Sequence, residues 1–231
     1  MVKPASGSVD LEFSQKYDKK HARHYFEKHQ ANLSRRLSHR MEEHMARKAL
    51  QAAGNPATVM DLPCGAGRFW PLLLSQQNRK LIAADNSPNM IETGLQNHQA
   101  LVKNRIETLT TSVFAIDLPD NAVESVFCMR LLHHIGDAGD RQTMFAELQR
   151  VASKNVIISL WVDGNIKSWQ RKRLEKKRDR QKKHKIQNRF VLPAKQIEKE
   201  FADAGFSINT HFDFFPFLSM WRVYVLECPS A

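Results

Sequence analysis

The heptapeptide Asp61-Leu62-Pro63-Cys64-Gly65-Ala66-Gly67 follows the apolar pair Val59-Met60, so a buried strand breaks here into a glycine turn. Without a Cβ, Gly65 and Gly67 can take positive φ and let a ligand approach backbone amides closely. A second carboxylate, Asp85, closes the apolar run Leu81-Ile82-Ala83-Ala84, 24 positions after Asp61. That is about where a strand-helix-strand unit places the acid that accepts hydrogen bonds from a ribose diol. Each such charge-assisted hydrogen bond contributes roughly 1.5–3 kcal/mol. The pair predicts a nucleotide-like ligand.

Two ligand classes use this layout. Nicotinamide dinucleotide sites add a third glycine where helix and strand pack closely, and Trp70 stands at that position. Indole cannot replace a hydrogen there, which favours S-adenosylmethionine over a dinucleotide.

The elements that must position these residues alternate. Helices are expected over about 12–53, then strand 58–62, helix 67–77, strand 80–84, helix 88–101 and strand 107–114. Strand 123–128, helix 138–152, strand 155–161, a basic insert, helix 193–204 and strands near 207–214 and 220–227 follow. Gly54-Asn55-Pro56, Ser87-Pro88 and Ala204-Gly205 supply helix stop and start signals. Alternation of this kind predicts an α/β fold with a doubly wound, Rossmann-like seven-stranded sheet. Its antiparallel ending comes from the closing pair of strands, with N-terminal helices and a basic helical insert added to the sheet.

Together with Asp85 and Leu131-Leu132-His133-His134-Ile135, the glycine turn resembles the small class I S-adenosylmethionine-dependent methyltransferases of the type 11 group, over roughly residues 56–161. The resemblance implies that Asp61, Gly65 and Gly67 lie along the methionine part of the cofactor, with Pro63 and Cys64 in the same loop. It implies that Asp85, with Asn86 beside it, holds the ribose, and that Ser112, Val113 and Phe114 border adenine. Met129 and Arg130, after the fourth strand, would approach the transferable methyl group. Two positions depart from the family: Pro63 replaces the loop's leading glycine and removes an amide donor, and Ser112 stands where many relatives carry an acid.

On the acceptor side, His134 is the candidate general base, because imidazole titrates near neutrality. Ligands sit at the carboxyl ends of the strands, and the resemblance implies that the segment after the fifth strand helps cover the acceptor, which makes Trp161, Trp169 and Arg171 candidate acceptor contacts. The resemblance adds Tyr17 and Tyr25, from a region that often covers the cofactor cleft in relatives. His21, Tyr25 and His29 share a helical face but lack partners for a ligand set, and no metal is expected.

Charge is concentrated. Residues 166–190 hold twelve Lys or Arg against Glu175 and Asp179, which is +10 of a formal net charge of +11. Such a block favours an anionic partner. The expected acceptor is a small or lipid-linked anionic molecule methylated on oxygen or nitrogen. The alternative is a protein that grips nucleic acid or an anionic membrane through the insert, including an RNA methyltransferase.

With 231 residues and 42% apolar content the chain can bury a sizeable core. Residues 1–55 are read as an N-terminal helical cap and 56–231 as the methyltransferase domain, with the insert over about 164–190. The three cysteines, Cys64, Cys128 and Cys228, are widely spaced, giving neither a disulfide framework nor a zinc or iron–sulfur signature. No apolar run reaches bilayer length, and Met1 to Asp10 lack a signal core. These features lead to the expectation of a cytoplasmic protein with no transmembrane segment and at most peripheral membrane contact.

Overall fold

The structure is a computed structural model that describes residues 33–101, 105–180 and 189–229. In chain order its elements are α1 (Leu33–Ala52), β1 (Thr58–Asp61), α2 (Trp70–Leu73), β2 (Lys80–Asp85), α3 (Pro88–Asn97), β3 (Ile106–Thr110), β4 (Val123–Cys128), a 3-10 turn (Leu132–His134), α4 (Ala138–Val151), β5 (Ala152–Trp161), α5 (Ile166–Arg180), α6 (Ala194–Asp203), β6 (Ser207–Asp213) and β7 (Trp221–Glu227). Of the helices expected over 12–53, the part before Leu33 lies outside the described residues, as do Tyr17 and Tyr25.

The seven strands form one sheet in the order β3-β2-β1-β4-β5-β7-β6. The first five are parallel, and β7 inserts antiparallel between β5 and β6. The chain moves outward from β1 to β3 and then returns to place β4 beside β1. Strand order therefore reverses between β1 and β4, and the crevice at their carboxyl ends is where such sheets bind ligands.

Central strands read as continuous buried runs because helices cover both faces; Val156–Trp161 of β5 are all buried. One face packs on α4 and α6 through Phe145, Leu148, Ile197 and Phe201. The other packs on α1, whose Met45, Ala46, Ala49 and Leu50 join Phe127, Ile157 and Val225. The described part of the N-terminal segment thus shares a core with the sheet. Edge strand β6, Ser-Ile-Asn-Thr-His-Phe-Asp, is mostly polar and partly exposed, which discourages pairing with another chain.

Three expected elements are shorter in the structure, among them the helix over 88–101, which ends at Asn97. The helix over 67–77 shrinks to Trp70–Leu73, because both the N–H and the hydroxyl of Ser75 donate to the Leu72 carbonyl and close the turn. The strand over 107–114 stops at Thr110, which pairs with Asp85, the last residue of β2. Beyond it no ladder partner continues. The Thr111 hydroxyl donates to the Ala115 carbonyl and the Ser112 hydroxyl accepts from Phe114 N–H, folding the segment into a turn.

Trp70 is fully buried and explains how a large ring fits beside the glycine loop. A Cβ on Gly67 would lie 2.7 Å from the indole, and one on Gly94 of α3 would lie 2.7 Å from its far edge. The close approach that a third loop glycine would provide is supplied by Gly94, on the facing helix.

Candidate active site

The glycine loop leaves β1 at Asp61 and crosses the carboxyl ends of β1 and β2. Gly65 has φ 53° and Gly67 φ 76°, the left-handed region that the sequence spacing anticipated. Cys64 N–H donates to the Ala84 carbonyl at 2.8 Å, and Gly65 N–H donates to Asp85 Oδ2 at 2.9 Å. The other oxygen, Asp85 Oδ1, accepts from Ser87 N–H at 3.0 Å. The Asp85 carboxylate therefore ties the glycine loop to the start of α3. Asn86, next to it, is exposed.

Electrostatically this corner is under tension. Asp61 is buried and its Oδ2 has no hydrogen-bond partner among the described residues. Burial, then the nearby Asp85 charge, pushes the Asp61 carboxyl well above the ordinary carboxylate range. The Trp70 indole opposes that shift, although its N–H does not reach full hydrogen-bond geometry. Asp85 is raised by burial and partly restored by the backbone N–H groups of Ser87, Gly65 and Asn86. Burial also holds the Cys64 thiol well above its usual value, so it stays protonated.

The other side of the crevice is built after β4. Met129 is buried; Arg130 has φ 67°, and its N–H donates to Ser159 Oγ at 2.8 Å. The Arg130 guanidinium meets Glu42 of α1 at 2.7 Å and lies 4.9 Å from the Trp221 ring. Glu42, itself buried, also pairs with Arg68 of the glycine loop at 2.7 Å. One carboxylate on α1 thus bridges the loops that follow β1 and β4.

Beyond Arg130 lies an aromatic floor. Trp161 and Trp221 are register partners across β5 and β7, 5.5 Å apart edge to face. His133 stacks on Trp161 at 4.6 Å and meets Trp221 at 5.0 Å. The guanidinium groups of Arg171 and Arg189 lie 4.8 and 5.7 Å from the Trp161 ring. Two buried polar atoms of this floor, Trp161 Nε1 and His133 Nδ1, lack hydrogen-bond partners among the described residues. Burial, then the positive neighbours His134, Arg130, Arg189 and Arg171, lowers His133 well below its ordinary value.

The structure thus brings Asp61, Pro63, Cys64, Gly65, Gly67 and Asp85 together, with Met129 and Arg130 across the crevice and Trp161 and Arg171 beyond them. Ser112, Val113 and Phe114 form the turn after β3, with Val113 buried and the other two partly exposed. His134 is half-buried, its ring 4.2 Å from that of His133. Trp169 does not join Trp161 and Arg171. Two residues along a helix turn roughly 200°, so Trp169 sits on the outer face, 60% exposed.

Residues 59–155 match the methyltransferase domain family. The sheet order and the solved structures it resembles make this the class I S-adenosylmethionine-dependent methyltransferase fold. Among solved structures with this fold, magnesium protoporphyrin IX methyltransferase from Synechocystis PCC 6803, bound to S-adenosylhomocysteine, is 17% identical with a TM-score of 0.75, covering 95% of this chain and 100% of its own. A SAM-dependent methyltransferase from Aquifex aeolicus is 20% identical with a TM-score of 0.60, covering 92% and 98%. The cyclase SpnF, 12% identical with a TM-score of 0.59 and 76% coverage of each chain, shares the fold as well. The methyltransferase fold therefore hosts more than one reaction, and the acceptor side has to be read from this chain's own residues. No curated protein is similar enough in sequence to match.

Sequence reasoning missed Glu42, Ser159, Arg189 and Trp221 of this candidate site, and it chose His134 over its neighbour His133. Trp221 was legible only as a strand residue, because its role depends on the β5–β7 register. Glu42 carried a faint signal, as one of two adjacent acids in a basic helix. Among the described residues, no helix is long and apolar enough to cross a membrane.

Proposed function

We propose that this domain transfers the methyl group of S-adenosylmethionine to an oxygen or nitrogen of a small or lipid-linked anionic acceptor. The acceptor rests on the Trp161–His133–Trp221 floor, among Arg130, Arg171 and Arg189. The observation that carries this reading is the meeting of three guanidinium groups and two buried, unpartnered polar atoms on one aromatic surface. That surface begins where β4 ends, next to the crevice that holds the glycine loop. Positive charge over aromatic faces suits a planar or carboxylate- or phosphate-bearing group.

The chain's own residues fit the cofactor. S-adenosylmethionine carries a sulfonium and an ammonium cation, and two buried carboxylates, one with an unpartnered oxygen, face a need for positive charge. Asp61, Pro63, Cys64, Gly65 and Gly67 line its methionine part, Asp85 and Asn86 the ribose, and Ser112, Val113 and Phe114 the adenine. Bound there, the cofactor supplies an electrophilic methyl on sulfur. Met129 and Arg130 bound the crevice and exclude water, so alignment accounts for most of the acceleration. His134, at the rim of the floor, takes the acceptor's proton. Tyr17 and Tyr25 remain acceptor candidates from the N-terminal cap. Trp169, by its placement, leaves that group. A cytoplasmic setting agrees with three free cysteines.

A labelled-methyl assay on fractionated small metabolites, lipids and RNA tests the reading. Label is expected in an anionic small-molecule or lipid fraction. Arg171→Gln should lower incorporation while calorimetric affinity for the cofactor holds. His134→Ala should lower turnover and alter its pH profile. Label confined to RNA, or Arg171→Gln turning over like wild type, rejects the assigned acceptor.

A further inference from the structure

The start of α5 is fastened to the turn between β6 and β7. Ile166 N–H donates to the Phe217 carbonyl at 3.0 Å and Lys167 N–H to the Leu218 carbonyl at 3.2 Å. These two segments gather apolar side chains at the surface. Of the nine large hydrophobic residues exposed among the described residues, six are Ile166, Trp169, Leu174, Phe215, Phe217 and Leu218. Phe217 is 81% exposed and Trp169 60%. Ile166, Trp169, Lys172 and Phe217 line one open pocket of about 540 Å³, and no glycine-loop residue lines it. Single exposed apolar residues are ordinary, but Ile166, Trp169 and Phe217 meeting around one pocket mark an interaction surface.

Cations surround the group. Lys167, Lys172 and Arg173 are exposed on the same helix, within the segment that carries nearly all the net charge. Arg173 lies 5.4 Å from the Trp169 ring, so one face of that indole is already covered. Base stacking needs bare aromatic faces, and Ile166, Leu174 and Leu218 have none. Insertion of side chains among acyl chains needs only apolar bulk, with tryptophan at the boundary and cations at headgroup level.

We propose that this face, formed by the first turns of α5 and the β6–β7 turn, docks on an anionic lipid bilayer. Ile166, Trp169, Phe217 and Leu218 enter the acyl boundary, and Lys172 and Arg173 meet the headgroup phosphates. This docking is independent of which molecule is methylated.

Co-sedimentation of the full chain with phosphatidylcholine vesicles, with and without phosphatidylglycerol, provides the test. Pelleting is expected only with phosphatidylglycerol and should weaken as salt rises. Arg173→Gln should weaken it about fivefold. Trp169→Ser combined with Phe217→Ser should weaken it at least about tenfold, with unchanged circular dichroism and melting temperature, since both side chains are exposed. Absence of pelleting, pelleting that ignores phosphatidylglycerol, or pelleting unaffected by the double serine variant overturns the proposal. Salt-sensitive retention on single-stranded RNA without vesicle binding also overturns it and assigns the face to nucleic acid.

Discussion

Glu42 and Arg130 meet at 2.7 Å across 88 residues of chain. The same carboxylate reaches Arg68, so α1 holds the loops after β1 and β4 at a fixed separation. Glu42→Gln would remove the carboxylate that Arg68 and Arg130 share. A cost of about 1–3 kcal/mol is expected, below that of a fully buried pair because Arg130 is partly solvated. Thermal unfolding measures it, with Glu43→Gln as the control. Equal melting temperatures for the two variants would remove the bridging role.

Asp85 accepts from the backbone N–H groups of Gly65 and Ser87, so the glycine loop and the start of α3 orient its carboxylate. Asp85→Ala should weaken S-adenosylmethionine binding roughly 10- to 100-fold, which corresponds to one charge-assisted hydrogen bond. Titration calorimetry reads this directly. Affinity within a factor of two of wild type would be incompatible with a ribose bound at this residue.

Asp61 carries a sharper pH signature. Its folded-state pKa is raised by burial and by Asp85, so between the ordinary value of 3.8 and the raised one the native state holds more protons than the unfolded chain. Stability contributed by this group therefore falls as pH rises through that window. A cationic ligand favours the ionised form, and S-adenosylmethionine binding should release protons and tighten with pH. S-adenosylhomocysteine, which lacks the sulfonium charge, should release fewer. Calorimetry in buffers of different ionisation enthalpy counts them, and identical counts for the two ligands would contradict the charge argument.

His133 gives the opposite slope. Burial and surrounding cations depress its pKa below the ordinary 6.5, so the unfolded chain takes up a proton that the native state resists. Stability is then retained above about 6.5 and lost as pH falls from there toward the depressed value. His133→Asn should flatten this portion of the melting-temperature profile between neutral and mildly acidic pH. An unchanged profile would show that His133 is not the group responsible.

The sequence made the sheet legible because strands β1, β2, β4 and β5 are apolar runs bounded by turn residues, and their expected limits fall within three residues of the observed ones. The glycine loop and Asp85 were legible because positive φ and a strand-end carboxylate are local requirements. Helix α2 was overestimated, since the Ser75 bonds that end it involve a carbonyl whose availability no periodicity reveals. The aromatic floor was only half visible. Trp161 stands at a strand end, but its partner Trp221 arrives through antiparallel register, and Glu42 through packing of α1. Trp169 illustrates the same limit, as its distance in sequence from Arg171 is small while a helix turns the two apart.

The indole of Trp70 occupies space vacated by two glycines from separate segments, so residues 67, 70 and 94 behave as one volume. Enlarging position 94 alone should strain the domain, whereas Gly94→Ala paired with a smaller ring at position 70 should strain it less, with only the 3.1 Å approach to the Ala66 backbone remaining. Homologues are accordingly expected to exchange bulk between these sites in compensating steps, with residue size at position 70 foretelling whether α3 can carry a side chain at position 94.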